Sequence, residues 1–211
     1  MRALIVLGGD APGKALLESC AACAEVTIAA DKGLEAFAAA GLKPDFLLGD
    51  MDSVDPDTLA RGWDGTDMQR LPCEKDDTDG GHALDAALSR GADHITILGA
   101  LGGRMDHALA NLMLLVRAHR GGAKAQILDE HVRIERVDDR SEILGAKGDT
   151  VSLLPLGEAK GVTLTGFFYP LEDHALDSSY PLGMSNVITE ERACITVREG
   201  DLLLFHHSAG I

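Results

Sequence analysis

The sequence is poor in aromatic and basic residues and has no long apolar run. Phe, Trp and Tyr make up 4% of its 211 residues, and 19 Lys and Arg stand against 34 Asp and Glu, which gives a net charge of −15. No apolar run is longer than Leu112–Val116, which is far shorter than the roughly 18 residues of a membrane span. Nucleic acids and anionic membranes both require a basic protein face. We therefore expect no nucleic-acid partner and no membrane partner.

Signals for secretion or for a structural zinc ion are also missing. Ala3–Leu7 is too short for the apolar core of a signal peptide, and it runs into Gly8 and Gly9 without a small-residue cleavage site. Cys20 and Cys23 have metal or redox spacing, but no second Cys or His pair completes a zinc site. Their stretch has a helical composition, so we interpret both thiols as core packing. The prediction is a reducing, cytoplasmic location.

Apolar strands alternate with helical patterns along residues 1–128. Strands are predicted at Ala3–Leu7, Val26–Ala29, Phe46–Gly49, Met68–Leu71, His94–Gly99 and Ala125–Leu128. Helices are predicted at Ala15–Ala24, Leu34–Ala40, Ala83–Arg90 and Ala108–His119. Continuous apolar strands separated by helices that end at glycine are typical of βα units. We therefore predict a three-layer α/β domain with a mainly parallel sheet.

Residues 129–211 have a different pattern. Short runs rich in β-branched residues recur between glycines, and no long helical period appears. Strands are predicted at Val132–Val137, Thr150–Pro155, Val162–Leu164, Ala193–Val197 and Asp201–Phe205. This spacing predicts a small antiparallel β-domain after the α/β domain.

Acidic residues follow three of the predicted parallel strands. Asp31 follows the second strand, Asp50 and Asp52 the third, and Asp76 and Asp79 the fourth. The carboxyl ends of parallel strands share one edge of the sheet, so these carboxylates are expected to converge. Converging carboxylates repel each other and require a cation, for which Mg²⁺ is the hard, oxygen-seeking candidate. Acids in turns usually have no such role, and that interpretation applies to Asp55, Asp57, Asp64 and Asp67.

A glycine-rich loop follows the strand at 94–98. The glycines of Gly99–Gly103 allow the backbone to approach a ligand closely, and Arg104 offers a planar fork for phosphate. Asp106 and His107 open the next helix, where a carboxylate is also an ordinary cap and the histidine is equally compatible with a structural role. The loop is a weak phosphate motif alone and becomes specific beside the acidic loops.

Two further patterns suggest other chemistry. Gly8–Lys14 has Walker A spacing, but Ala15 replaces the Ser or Thr that would bind magnesium, and Pro12 removes a backbone donor, so we expect no P-loop. Asp50-Met51-Asp52 resembles the motif of haloacid-dehalogenase-type phosphatases, with Asp50 as nucleophile and Asp52 as acid and base. That motif normally follows the first strand, whereas here it follows the third. A phosphatase is therefore the alternative hypothesis.

Five stretches occur together in the order found in one enzyme family. They are Ala30–Gly33, Pro44–Ser53, Lys75–Asp79, Gly99–His107 with Asn111, and Gly183–Asn186. As a set, which spans about residues 25–190, they resemble the thiamine pyrophosphokinase family. Lys32 departs from the pattern, because the family usually has a second glycine there, although a lysine at this position is also suited to contact phosphate.

The resemblance implies an architecture and a reaction. It implies an α/β nucleotide-binding catalytic domain over 1–128 and a β-sandwich thiamine-binding and dimerisation domain over 129–211, in a homodimer with a shared active site. The implied reaction is the Mg²⁺-dependent transfer of pyrophosphate from ATP to the thiamine hydroxyl, which gives thiamine pyrophosphate and AMP. Such chemistry depends mostly on positioning and charge neutralisation.

The resemblance also implies roles for individual residues. The magnesium ligands would be Asp50, Asp52 and Asp79, supported by Asp31 and Asp76. The groups on the nucleotide phosphates would be Lys75, Thr78 and Arg104, and the groups on thiamine would be Asp106, Ser185 and Asn186. The catalytic set would be Asp50, Asp52, Asp79, Arg104 and Asp106. Either Asp79 or Asp106 could accept the hydroxyl proton.

Two questions stay open at this level. Phe167, Phe168, Tyr169 and Tyr180 are candidates to stack on the thiamine pyrimidine, but they fit the core of the β-domain equally well. The same motifs are also compatible with a non-catalytic module that senses nucleotide or thiamine, although carboxylates in three separate loops favour an enzyme.

Overall fold

The protein folds as two compact units, Met1–Glu130 and His131–Ile211. The structure is a computed structural model that describes residues 1–72 and 76–208. Over those residues the longest helix has 16 residues, and no helix there is both long and apolar enough to cross a membrane.

The first unit alternates strands and helices. Its strands are β1 (Arg2–Val6), β2 (Val26–Ala30), β3 (Phe46–Gly49), β4 (Asp67–Arg70), β5 (His94–Leu98) and β6 (Lys124–Leu128). Its helices are α1 (Lys14–Cys23), α2 (Gly33–Ala40), α3 (Pro56–Ala60), α4 (Asp79–Ser89) and α5 (Met105–Arg120). The strands pair in parallel in the order β6-β5-β1-β2-β3-β4. This confirms the predicted parallel α/β domain.

Helices cover both faces of this sheet. Leu4 and Val6 of β1 pack into one buried cluster with Leu17 of α1 and Phe37 of α2. Ile5 alternates with them and therefore faces the other side, where α4 packs across β1, β2 and β3. Burial on both faces explains why the central strands β1, β2 and β3 are apolar runs without polar alternation, whereas β4 is exposed.

The second unit is all β. Its strands are β7 (Val132–Arg136), β8 (Arg140–Leu144), β9 (Thr150–Pro155), β10 (Glu158–Thr165), β11 (Leu171–Asp177), β12 (Asn186–Val187), β13 (Arg192–Thr196) and β14 (Leu202–His207). They pair antiparallel in two sets, β12-β9-β14-β7 and β11-β10-β13-β8. One buried cluster joins the two sets, with Leu153 and Leu204 from the first and Leu164 and Ile195 from the second. The predicted antiparallel β-sandwich is therefore confirmed.

Several elements differ from the sequence prediction. Helix α4 begins at Asp79, four residues before the predicted Ala83, because Thr78 caps it there. The prediction missed this first turn because it contains Gly80 and Gly81, which are weak helix formers. Helix α3 and strands β8, β11 and β12 were not predicted. They are short or, like β11, mostly exposed, so they lack the apolar runs on which the prediction depended.

Gly33 allows the first turn of α2 to approach β1. A Cβ atom there would lie 2.0 Å from the carbonyl oxygen of Val6, whereas a Cβ at Gly41, which follows α2 with φ 75°, would meet nothing within 4 Å. We expect Gly33→Ala to lower the free energy of unfolding by about 3 kcal/mol through this collision. The control Gly41→Ala should cost about 1 kcal/mol through backbone strain alone. Urea unfolding with unchanged m-values measures both, and equal losses would contradict the close approach.

Candidate active site

A cleft of about 510 Å³ opens at the carboxyl edge of the parallel sheet. The chain leaves β1 toward β2 on one side, while β5 lies on the other, and ligands of open α/β sheets bind at such a switch point. The polar and charged residues that line the cleft are Asp31, Lys32, Ser53, Asp77, Thr78, Asp79, Arg104, His107 and Asn111.

Three carboxylates meet in a cluster at this edge. Asp31, Asp50 and Asp52 each offer an oxygen atom, and these oxygens all lie within 4.8 Å of one another. A hydrogen bond between Asp52 and Asp50, together with repulsion from Asp50, Asp31 and Asp79, raises the pKa of Asp52 above its usual value. The negative charges of the cluster therefore repel one another, and a bound cation would relieve this repulsion.

The loop after β3 holds two of these carboxylates around a core residue. Met51 is buried in the α1–α2 side of the core and has a left-handed backbone with φ 65°. Asp50 and Asp52 flank Met51, and the backbone N–H of Asp52 donates a hydrogen bond to Asp50 Oδ1 at 3.2 Å. Residues other than glycine rarely adopt this conformation, and such strain is typical of functional sites. The buried methionine thus fixes the position of both acids.

Asp31 is held from two sides. Its backbone N–H donates to the carbonyl of Leu48 at 2.7 Å, and the hydroxyl of Ser53 donates to its Oδ2. Gly49 provides the necessary room, since a Cβ there would lie 3.0 Å from the Cβ of Asp31. Asp31 Oδ1 is buried and has no hydrogen-bond partner among the described residues. A buried, unpartnered carboxylate oxygen is costly, so the set fits a hard divalent cation.

The amino terminus of α4 brings a further carboxylate to the cleft. Thr78 caps the helix by accepting a hydrogen bond from the N–H of Gly81 at 3.0 Å, and Asp79 is the first helical residue. The helix dipole favours a negative side chain at this end. Asp76 is exposed and does not line the cleft, and Lys75 lies outside the described residues.

Arg117 anchors the segment that leads into α4, although it belongs to none of the motifs in the sequence. It pairs with Asp77 and, at 2.5 Å, with Asp85. Partial burial acts to raise the pKa of Asp77, but hydrogen bonds from Arg117 and from the N–H of Thr78 outweigh it, so the pKa is lowered. Arg117 lies 40 residues after Asp77. No local pattern signals a contact at that separation.

The loop after β1 does not form a phosphate cradle. The N–H groups of Gly9 and Asp10 donate to carbonyls of the loop after β5 at 2.8 and 2.7 Å, and the N–H of Gly13 donates to Glu130 at 2.5 Å. These donors are used within the unit, in agreement with the expectation that Gly8–Lys14 is no P-loop.

Arg104 and Asp106 form a forked ion pair at the amino terminus of α5. The Nε–Oδ1 and Nη2–Oδ2 distances are 3.1 and 2.5 Å, and the hydrogen bond from Arg104 lowers the pKa of Asp106 to about 2. Asn111 donates to the carbonyl of Ala100 at 2.8 Å and so holds the glycine-rich loop beside this pair. Arg104 and His107 line the cleft.

The remaining predicted residues, Ser185 and Asn186, belong to the second unit. Asn186 is buried, and its side-chain amide accepts from the N–H of Tyr169 at 3.0 Å and donates to the carbonyl of Tyr169 at 2.8 Å. Phe167 is buried in the core, whereas Phe168 and Tyr169 are exposed and contact each other edge to face at 4.8 Å between ring centroids. Tyr180 is also exposed, so three of the four aromatic candidates lie on the surface of the unit.

The first unit has the features of an enzyme that acts on phosphates. A carboxylate cluster suited to a hard cation, a helix amino terminus and an arginine meet at the carboxyl edge of a parallel sheet. The family model "Thiamin pyrophosphokinase, catalytic domain" matches residues 17–127, and "Thiamin pyrophosphokinase, vitamin B1 binding domain" matches residues 132–202. The chain belongs to the thiamin pyrophosphokinase family, a family of transferases.

Individual relatives agree with this assignment. A thiamine pyrophosphokinase of Bacillus subtilis (strain 168) is 30% identical over 181 residues, which cover 84% of this chain and 85% of that protein. The crystal structure of thiamine pyrophosphokinase from Bacillus subtilis superposes with a TM-score of 0.86 at 28% identity over 99% of this chain and 100% of that chain. The enzyme from Geobacillus thermodenitrificans gives a TM-score of 0.84 at 28% identity over 99% and 98%.

Divalent cations should stabilise the protein through the carboxylate cluster. Because the folded state raises the pKa of Asp52, ionisation of Asp52 opposes folding above its unfolded pKa, and this opposition disappears as the pH falls below that value. Without divalent ions at pH 7, Asp52→Asn should therefore melt no lower than the native protein. With Mg²⁺ the native protein should gain stability and the variant much less.

Thermal melting in EDTA and in Mg²⁺ measures this difference. The control is Asp67→Asn, which removes an exposed carboxylate at the amino end of β4, whereas the carboxylate cluster lies at the carboxyl edge of the sheet. A variant Asp52→Asn that keeps the full Mg²⁺ shift, or melts lower in EDTA, would contradict the role of the cluster.

Arg117→Met should loosen the start of α4. The substitution leaves Asp77 without its cationic partner, so we expect a loss of about 2 kcal/mol in unfolding free energy and faster amide exchange at residues 77–81. Asp85→Asn removes only the more exposed pair and should cost less than about 1 kcal/mol. Urea unfolding and hydrogen exchange are the measurements. If the two variants behave alike, the Arg117–Asp77 contact does not anchor the helix.

Proposed function

We propose that the protein transfers the pyrophosphoryl group of ATP to the hydroxyl of thiamine, with Mg²⁺ as cofactor, and releases thiamine pyrophosphate and AMP. The family assignment supports the reaction. The observation that carries the metal dependence is the carboxylate cluster around the buried, unpartnered Asp31 Oδ1.

The carboxylates of the first unit would hold the metal. Asp31, Asp50 and Asp52 form the cluster, Asp79 acts on it electrostatically, and Asp76 is retained as a supporting ligand on the resemblance alone. When bound there, Mg²⁺ would neutralise part of the polyphosphate charge. Arg104, with Lys75 on the resemblance, would neutralise charge on the phosphates, and Thr78 would place the helix amino terminus beside them.

The proposed transfer is an in-line substitution at phosphorus. The hydroxyl oxygen of thiamine bonds to the β-phosphorus, and the bond from that phosphorus to the oxygen shared with the α-phosphorus breaks. AMP leaves with the bonding electron pair, and a carboxylate takes the hydroxyl proton. Asp106 is a weak acceptor while Arg104 holds its pKa at about 2, so we favour Asp79, which lines the cleft.

We assign nucleotide binding and catalysis to residues 1–128, and thiamine binding and dimerisation to residues 129–211. The exposed aromatic residues Phe168, Tyr169 and Tyr180 would contact the rings of thiamine, and Asn186 would position Tyr169 through its backbone. Contacts of Ser185 and Asp106 with thiamine, a homodimer with a shared active site and a cytoplasmic location stay predictions.

The test is to incubate the protein with Mg²⁺, ATP and thiamine, and to separate the nucleotides and thiamine species by chromatography. We expect equimolar AMP and thiamine pyrophosphate. Asp52→Asn should lower the rate roughly 100-fold because it removes one charge from the metal site. Asp67→Asn, at the opposite end of β4, should keep the native rate.

Each alternative predicts a different result. ADP with thiamine monophosphate would mean transfer of a single phosphoryl group and would overturn the proposal. Phosphate released without thiamine, together with a trapped aspartyl-phosphate at Asp50, would support the phosphatase. Binding of both ligands without turnover in any divalent metal would support a sensor.

A further inference from the structure

The two positively charged side chains that line the described cleft differ in whether they already have an acidic partner. Among the described residues that line the cleft, Lys32 and Arg104 are the only Lys and Arg. Arg104 donates two hydrogen bonds to the carboxylate of Asp106. The other nearby cation, Arg117, is occupied by Asp77 and Asp85. Lys32 has neither a hydrogen bond nor an ion pair from its side chain within residues 1–72 and 76–208. It is therefore the uncommitted cation of the described lining.

The stem of Lys32 is placed by a close contact with the loop after β1. A Cβ atom added at Gly8 would lie 2.8 Å from the Cβ of Lys32 and 3.7 Å from its Cγ. Gly8 thus leaves room for this side chain between β1 and α2, while the residue as a whole stays exposed in the cleft lining. The lysine immediately follows Asp31 of the carboxylate cluster, so a ligand at the cluster lies within reach of its flexible stem.

A polyphosphate needs positive charge in this cleft, because the carboxylates alone would repel it. Asp31, Asp50, Asp52 and Asp79 repel an anion, and a divalent cation offsets only part of that charge. An unpaired ammonium group next to the cluster supplies further compensation without first breaking an existing ion pair. Arg104 would have to exchange Asp106 for phosphate to do the same.

We propose that Lys32 is a substrate-contacting residue whose ammonium group pairs with a non-bridging oxygen of the ATP polyphosphate chain. The inference rests on the proposed function for the identity of the nucleotide. No transfer step runs through Lys32, since its role is to hold phosphate charge beside the carboxylate cluster.

Lys32→Met tests the contact because it keeps the stem and removes the charge. Charge-assisted hydrogen bonds contribute about 1.5–3 kcal/mol, so Mg-ATP should bind at least tenfold more weakly by isothermal titration. Inorganic triphosphate should show the same loss, and adenosine none. The KM for ATP should rise while the KM for thiamine stays within about twofold. Lys32→Arg should restore most of the affinity.

The control is Lys43→Met, which removes an exposed lysine before β3, at the opposite edge of the sheet. Equal Mg-ATP affinities for Lys32→Met and Lys43→Met would overturn the inference and leave Lys32 a solvated surface residue. An equal loss for adenosine and triphosphate would also overturn it, because the effect would then not be on phosphate. If the native protein forms no AMP but Lys32→Met still weakens triphosphate binding, the proposed reaction fails and the phosphate contact stands.

Discussion

Mutual repulsion among the carboxylates at one edge of the sheet is the constraint on which the site depends. Asp31 and Asp52 belong to loops that follow neighbouring parallel strands, so the topology that buries the core also forces their charges together. The fold resists separation of these loops through packing and through the hydrogen bond from Ser53. Repulsion that cannot be relaxed by movement is relieved by binding a cation, and this supports the proposed magnesium site in the first unit.

The positive side chains around the cleft divide into two groups. Arg104 and Arg117 each pair with carboxylates of their own unit, and they fix the entrance of α5 and the start of α4. In the described structure their charge is therefore committed to these carboxylates, and Arg104 would have to exchange Asp106 for phosphate to act on a ligand. Lys32 differs because its side chain has no such partner among the described residues, and this difference supports its proposed contact with phosphate.

Much of this arrangement could be predicted from local sequence. Strand β3 has the predicted bounds, and the other strands of the parallel sheet lie within about two residues of theirs. For β1, β2 and β3 the reason is that continuous burial leaves a clear apolar signal. Parallel topology alone indicated that Asp31 and Asp50 would approach. The room that Gly49 provides for Asp31 and the pairing of Arg117 with Asp77 were not predictable, because both depend on tertiary distances. The exposure of Tyr169 likewise depends on which face its segment presents.

The burial of Met51 between two acidic residues has a consequence for ligand affinity. The buried side chain of Met51 holds the backbone between Asp50 and Asp52, so this part of the loop has little conformational freedom to lose when a ligand binds. Binding sites that become ordered only with their ligand give up part of the contact energy as conformational entropy. In this protein the loop around Met51 becomes ordered when the chain folds, before any ligand binds. Weakening the core beneath Met51 would therefore reduce affinity for the proposed cation without altering any of the carboxylates that would bind it.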